Sequence, residues 1–149
     1  MKKFKIILIV IALLVIYVIY SNNTINKNTG LINSKFKKLK DSPNGVSSQS
    51  NIEEKYVDPI KYSGDLDLVK EYIKNNIQKI GNVKLIKEKN NYLHFVFTTE
   101  VFHFKDDFEL IIDEKEKLIN IKSQSRVGYS DLGVNRERYK KFKKLLSKF

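Results

Sequence analysis

Residues Ile6 to Tyr20 form an uncharged apolar run whose only polar side-chain atoms are the hydroxyls of Tyr17 and Tyr20. The run has no polar face, which tells against a buried core helix of the folded part. The run has 15 residues, short of the roughly 20 that a helical span needs. Phe4 extends it, and Lys5 can bury its stem while its ammonium stays at the interface. Tyr17 and Tyr20 stand where an interfacial aromatic belt would sit. These lengths also fit a secretory signal peptide. However, no Ala-x-Ala pattern follows; the chain continues Ile19-Tyr20-Ser21-Asn22-Asn23. Residues 1–21 are therefore read as an uncleaved signal anchor, with the lipid bilayer as partner of residues 4–21. Lys2, Lys3 and Lys5 precede the run, which favours an N-inside orientation with the remainder of the chain extracytoplasmic.

The anchor changes the meaning of the charge. The formal net charge is +11, but residues 1–40 hold eight lysines and no acid, while residues 41–149 hold 20 basic and 17 acidic side chains. The excess lies beside the apolar run. The rest is nearly balanced and lacks the basic stripe of a nucleic-acid surface, so no nucleic-acid partner is expected. The chain has no cysteine, which excludes disulfides, thiolate catalysis, cysteine-type zinc sites and a lipoprotein cysteine.

Residues 22–41 are rich in Asn, Ser, Thr and Lys with little period, and are expected to form a basic polar tether. Residues 42–149 are long enough for one domain with its own core. Asp65 is a suitable N-cap for a helix carrying Leu66, Val69, Tyr72, Ile73, Ile77 and Ile80 at helical spacing, with Gly81 as its stop. Val83–Lys89 reads as a strand, and Asn90-Asn91 as a hairpin turn. Tyr92–Thr99 alternates, with Leu93, Phe95 and Phe97 on one face. From Val101, the even positions run Phe102, Phe104, Asp106, Phe108, Leu110, Ile112. Asp106 is the anomaly of that core-side set. Either the strand breaks near Lys105, or Asp106 is inside and must be paired.

Ile119, Ile121, Ser123, Ser125 and Val127 share a face in the next strand, where two serines leave room for a small cavity. Asn135 can cap a last helix with an apolar stripe of Tyr139, Phe142, Leu145, Leu146 and Phe149. Arg136, Arg138 and the neighbouring lysines fall on its opposite, water-facing side. The fold class is thus α+β: an N-terminal transmembrane helix, then an antiparallel sheet of about four strands packed with two helices.

Three segments carry a family resemblance. They are Pro43–Gln49 with Tyr56–Gly64 following, Phe104–Leu110, and Ser123–Arg138. Together, over roughly residues 42–146, they resemble the bacterial and plastid family known as domain of unknown function 1499. Two departures stand out. The family pattern usually has a cysteine where this chain has Gly45, and an arginine where it has Lys122. The resemblance implies no thiol function here, and no activity is transferred by it. It does imply frequent export or membrane association, in agreement with residues 1–21.

The candidate polar cluster is Asp106, Asp107, Ser123, Ser125, Arg126, Asp131, Asn135 and Arg136, with Ser47 and Ser48 from the first segment. Asp106, Asp107, His103 and Glu109 invite a metal or acid–base reading, but His103 and Asp107 on a regular strand are ~13 Å apart, too far to share one ion. No metal and no cofactor is expected. Asp106 is expected to pair with Arg126 or Arg136 or to accept loop amides, with His103 and Asp107 facing water. Arg126 and Asp131 fit either a buried ion pair or an anion pocket. Phe95, Phe97, Phe102, Phe104 and Phe108 are expected in the core. Ser47-Ser48 lacks the Gly-x-Ser-x-Gly frame of a serine nucleophile. The leading functional reading is a single-pass, membrane-anchored extracytoplasmic binding or interaction module without enzymatic activity, its partner a protein or small molecule. The alternative is a small hydrolytic or metal-assisted enzyme built on the Asp106/Asp107 region.

Overall fold

The computed structural model describes residues 2–147. Helix α1, Lys2–Asn23, is long and apolar enough to cross a membrane, and none of its residues is buried by the rest of the chain. At ~1.5 Å per residue, its 22 residues match a ~30 Å hydrocarbon core.

Two short strands, β1 (Leu31–Ile32) and β2 (Lys35–Phe36), pair as a small hairpin. Strands β3 (Gly45–Ser47) and β4 (Ile60–Lys61) come next. Helix α2 (Leu66–Asn76) starts at Asp65, whose carboxylate accepts the Leu68 amide as expected, and runs on into a 3-10 turn over Ile77–Ile80 that stops at Gly81. Four longer strands follow: β5 (Val83–Lys89), β6 (Tyr92–Thr98), β7 (Lys105–Asp113) and β8 (Leu118–Ser125). Helix α3 (Val134–Leu146) ends the described chain. Phe149, assigned above to the last apolar stripe, lies outside the described residues.

The main sheet is antiparallel, in the order β3-β8-β7-β6-β5, and β4 pairs with the other end of β8. It has six strands, not about four. The additional two, β3 and β4, have three and two residues and lie along one edge of β8. Pieces this short carry no readable alternation.

Helices α2 and α3 cover one face. Leu93, Phe95, Phe97, Phe108, Leu110, Ile112, Ile119 and Ile121 meet Val69, Ile73, Ile77, Tyr139, Phe142 and Leu146 there. Phe108 packs edge-on against both Phe97 and Phe142, with ring centroids 5.5 and 5.1 Å apart. The alternation that puts Leu93, Phe95 and Phe97 on one face is correct. Continuing it to Phe102 and Phe104 fails: the chain turns at His103, which has φ 52°, and both rings are exposed.

The second face is also covered. Tyr92, His94, Val96, Asp107, Glu109, Ile111, Lys122 and Gln124 are buried there. The cover is the stretch expected to be a free tether. Phe36 packs on Tyr92 and Ile111 beside Leu31, and Lys40 Nζ donates to the carbonyls of Ser125 and Arg126 at 2.9 and 2.7 Å. Residues 24–41 are thus a strap across the sheet. It forms because the polar atoms of that face need partners and the strap's backbone supplies them.

Candidate functional site

Asp106 and Asp107 follow one another on β7, so the pleat sends them to opposite faces. Each is buried and has its own arginine.

On the helix side, Asp106 accepts from Arg138 Nη2 at 2.6 Å. Arg138 comes from α3, and the pairing expected with Arg126 or Arg136 does not form. The helical spacing puts Arg138 on the solvated side of α3 among lysines, but it is buried. It also donates to Asn135 Oδ1 at 2.6 Å and Ser123 Oγ at 3.2 Å, and lies 4.6 Å over the Phe97 ring. Asn135 links Ser123, Ser125, Asp131 and the Asn44 carbonyl at 2.5, 2.9, 2.7 and 3.1 Å. The room left by the two serines is therefore occupied by Asn135 and Arg138. Asn135 does not cap α3. Gly133, at φ 82°, is the cap position, and the Asp131 carboxylate serves the orphan amides of Gly133 and Asn135 at 3.0 and 2.9 Å. Asp131 is thus a helix-terminus acceptor and does not pair with Arg126.

On the strap side, Asp107 takes a two-pronged contact from Arg126, Nε to Oδ2 at 3.0 Å and Nη2 to Oδ1 at 2.8 Å. His94 Nε2 also lies 2.8 Å from Asp107 Oδ1. Burial pushes the Asp107 carboxyl up, but the hydrogen bonds of His94 and Arg126 outweigh it and hold it below the usual carboxylate range. Asp107 does not face water as expected, whereas His103 is exposed at the hairpin tip. One register step along, Glu109 sits opposite Lys122, at 3.0 Å with both side chains 1% exposed. Tyr92 Oη and the Gly30 amide both donate to Glu109 Oε2 at 2.6 Å, and Lys122 Nζ donates to the Asn28 carbonyl. Burial lowers Lys122 against the pull of Glu109, and burial with the Glu109 charge pushes the Tyr92 hydroxyl up. His94, Glu109, Lys122 and Tyr92 are members of this layer that sequence reasoning did not assemble.

The serines of the first segment shape turns. Ser47 Oγ accepts the Gln49 amide at 3.1 Å. Ser48 Oγ accepts the Ile121 amide at 2.9 Å and donates to Asn120 Oδ1 at 3.1 Å. Arg136 reaches across to the carbonyls of Tyr56 and Glu54 at 3.2 and 2.5 Å, tying α3 to the loop after β3. Gly45 lets β3 lie close on β8: a Cβ there would stand 2.8 Å from the Ser123 carbonyl oxygen.

All three signature segments meet here, around the connection from β8 to α3. The sequence pattern of the family described as Protein of unknown function (DUF1499) matches residues 35–146. The chain belongs to that family. No curated protein matches it, and no solved structure does. Two grooves flank the DUF1499 loop 127–133. One, of about 390 Å³, lies against Gly45, Val46, Lys55, Tyr129 and Arg136. The other, of about 700 Å³ and largely apolar, lies against residues 99–104 and the end of α1. Among the described residues of this DUF1499 domain, no three His, Asp or Glu side chains are grouped to hold a metal ion.

Proposed function

We propose that this chain is a membrane-anchored binding module without enzymatic activity, holding its domain at the extracytoplasmic surface and presenting the loop 127–133 to a protein or small-molecule partner. One observation carries this reading. The acids that a hydrolytic site would use are separated by the sheet, each locked to its own arginine. The signature residues around them instead brace a loop that leaves Tyr129 and Arg136 lining a groove. The pair with the form of an acid–base couple, His94 and Asp107, is buried beneath the strap with Arg126 on the carboxylate. Such an arrangement suits rigidity more than turnover. Lys2, Lys3 and Lys5 support the N-inside orientation.

The test is native mass spectrometry of the full-length protein released gently from its own membrane, with crosslinking from a photoreactive side chain at position 129. A stoichiometric adduct, lost in Tyr129→Ser at unchanged melting temperature, or a single partner crosslinked from position 129, is the expected result. Turnover of ester or phosphoester substrates that disappears in a folded Asp107→Asn variant would overturn the reading.

A further inference from the structure

Hairpin tips in water are normally polar, yet the β6–β7 tip reads Val101-Phe102-His103-Phe104. Val101 is 78% exposed and Phe102 73%, and the Phe102 and Phe104 rings stack at 5.6 Å. Across from it, the β8–α3 connection exposes Leu132 at 94%. Val18 of α1, Phe102, Phe104, Leu132 and Val134 line one apolar groove of about 700 Å³. An exposed patch of this kind marks an interaction surface.

The position of α1 identifies what covers it. The tip is fixed to the end of the helix: Asn22 donates to the His103 carbonyl at 2.9 Å and accepts the Lys105 amide at 2.7 Å. Lys105 Nζ reaches Asn23 Oδ1 at 2.7 Å. The groove wall then runs back along the helix to Val18, about 7.5 Å before Asn23 at ~1.5 Å per residue. That is the level of the apolar run itself, whose last residues are Tyr17 to Tyr20. A bilayer that takes up α1 necessarily reaches these loops. Lys105, at the helix end, stands at headgroup height. Of the three carboxylates that line the groove, Asp106 is paired with Arg138, Asp131 is committed to the start of α3 and Glu100 is exposed, free to turn to water.

We propose that the groove between residues 99–104 and 127–134 takes an acyl chain of a phospholipid from the leaflet in which α1 ends, so that both loops sit in the membrane interface and fix the orientation of the domain. This rests on α1 being embedded. It is independent of whether the groove beside Tyr129 and Arg136 binds a partner.

The absence of cysteine allows a direct test. Single variants Phe102→Cys and Leu132→Cys, in the full-length chain, carry an environment-sensitive fluorophore in phosphatidylcholine–phosphatidylglycerol vesicles. Asn90→Cys, at the opposite end of the sheet, is the water control, and Ile11→Cys is the span control. Lipids spin-labelled high on the acyl chain are expected to quench positions 102 and 132 several-fold more than position 90. If 102 and 132 behave like 90 while 11 is quenched, the loops are in water and the proposal is wrong. If 11 is also unquenched, the helix is not embedded and the proposal falls with it. Disulfide crosslinking of position 102 between copies, without quenching, would assign the groove to a second copy instead. Should the labelled variants fold poorly, oxidative footprinting of wild-type Phe102 and Phe104 measures the same exposure. Protection in vesicles relative to a bilayer-free detergent supports the proposal, and equal oxidation refutes it.

Discussion

Asp106 and Asp107 are consecutive on β7, yet one is held by Arg138 of α3 beneath the helices and the other by Arg126 beneath the strap. The sheet lies between two buried ion pairs. Removing one member of such a pair leaves the other charge buried and costs about 3–5 kcal/mol. Asp106→Asn and Asp107→Asn are each expected to lower stability on that scale by denaturant unfolding. Double-mutant cycles should show strong coupling for Asp106 with Arg138 and for Asp107 with Arg126. Coupling of Asp107 with Arg138 as large as either would mean the two faces communicate.

The buried pairs also set a pH dependence. The Asp107 carboxyl is lowered from its ordinary value of 3.8. The unfolded chain therefore binds its proton more readily, and the stability Asp107 contributes is present above that value and lost as pH falls through the lowered folded one. Lys122 is lowered from 10.5, so the stability it costs is present below its folded value and is relieved as pH rises towards 10.5. Unfolding free energy should thus climb with pH in the acid limb; in the alkaline limb Lys122 adds a climb up to 10.5, which the raised Tyr92 hydroxyl opposes above its ordinary 10.0. Asp107→Asn should flatten the acid limb, and Lys122→Met the alkaline one. Unchanged limbs in urea melts across pH would refute the assignment.

Much of the helix side is legible in the sequence because it is apolar and periodic. Leu93, Phe95 and Phe97, the Asp65 cap and the Asn90-Asn91 turn are read from spacing alone. The strap side is not. Its strand residues are His94, Asp107, Glu109, Lys122 and Gln124, which by alternation resemble a face turned to water. Only Tyr92, Val96 and Ile111 hint otherwise. Leu31 and Phe36, which answer them, sit in a stretch with no period. Arg138 is hidden for a related reason: amid lysines at helical spacing, nothing local marks the one guanidinium that Asp106 needs. Asp131 and Asn135 stand out as motif residues, but nothing in the motif reveals that the first caps the second's helix.

Gly45 is a position where any side chain is costly. With the Ser123 carbonyl 2.8 Å from an added Cβ, Gly45→Ala must push β3 off β8 or shift the strand, an overpacking cost of about 1–3 kcal/mol. The melting temperature should fall and the exchange of the Ser125 amide, bonded to the Asn44 carbonyl at 2.9 Å, should quicken. An alanine variant as stable as wild type would show that the edge is looser than this geometry implies.

The strap predicts where the domain can be cut. A chain starting at residue 42 keeps every long strand, but it uncovers Tyr92 and Ile111 and takes the Asn28 carbonyl from Lys122 and the Gly30 amide from Glu109. It also removes the Lys40 and Asp41 carbonyls, which both receive Lys55 Nζ at 2.8 Å. Burying Phe36 alone is worth about 1.5–3 kcal/mol, and each orphaned buried polar group costs about 1–3 kcal/mol more. A chain starting at residue 24 keeps all of these contacts and loses only α1. The 24–149 fragment is expected to unfold cooperatively, and the 42–149 fragment to melt far lower or aggregate, with fast amide exchange along β6 and β8. Equal melting temperatures would mean that residues 24–41 rest on the sheet without stabilising it. The double variant Lys122→Met/Glu109→Gln in the longer fragment refines the point. It should recover most of the stability lost in Lys122→Met alone, because the penalty lies in an unpaired buried charge and not in the absence of the pair.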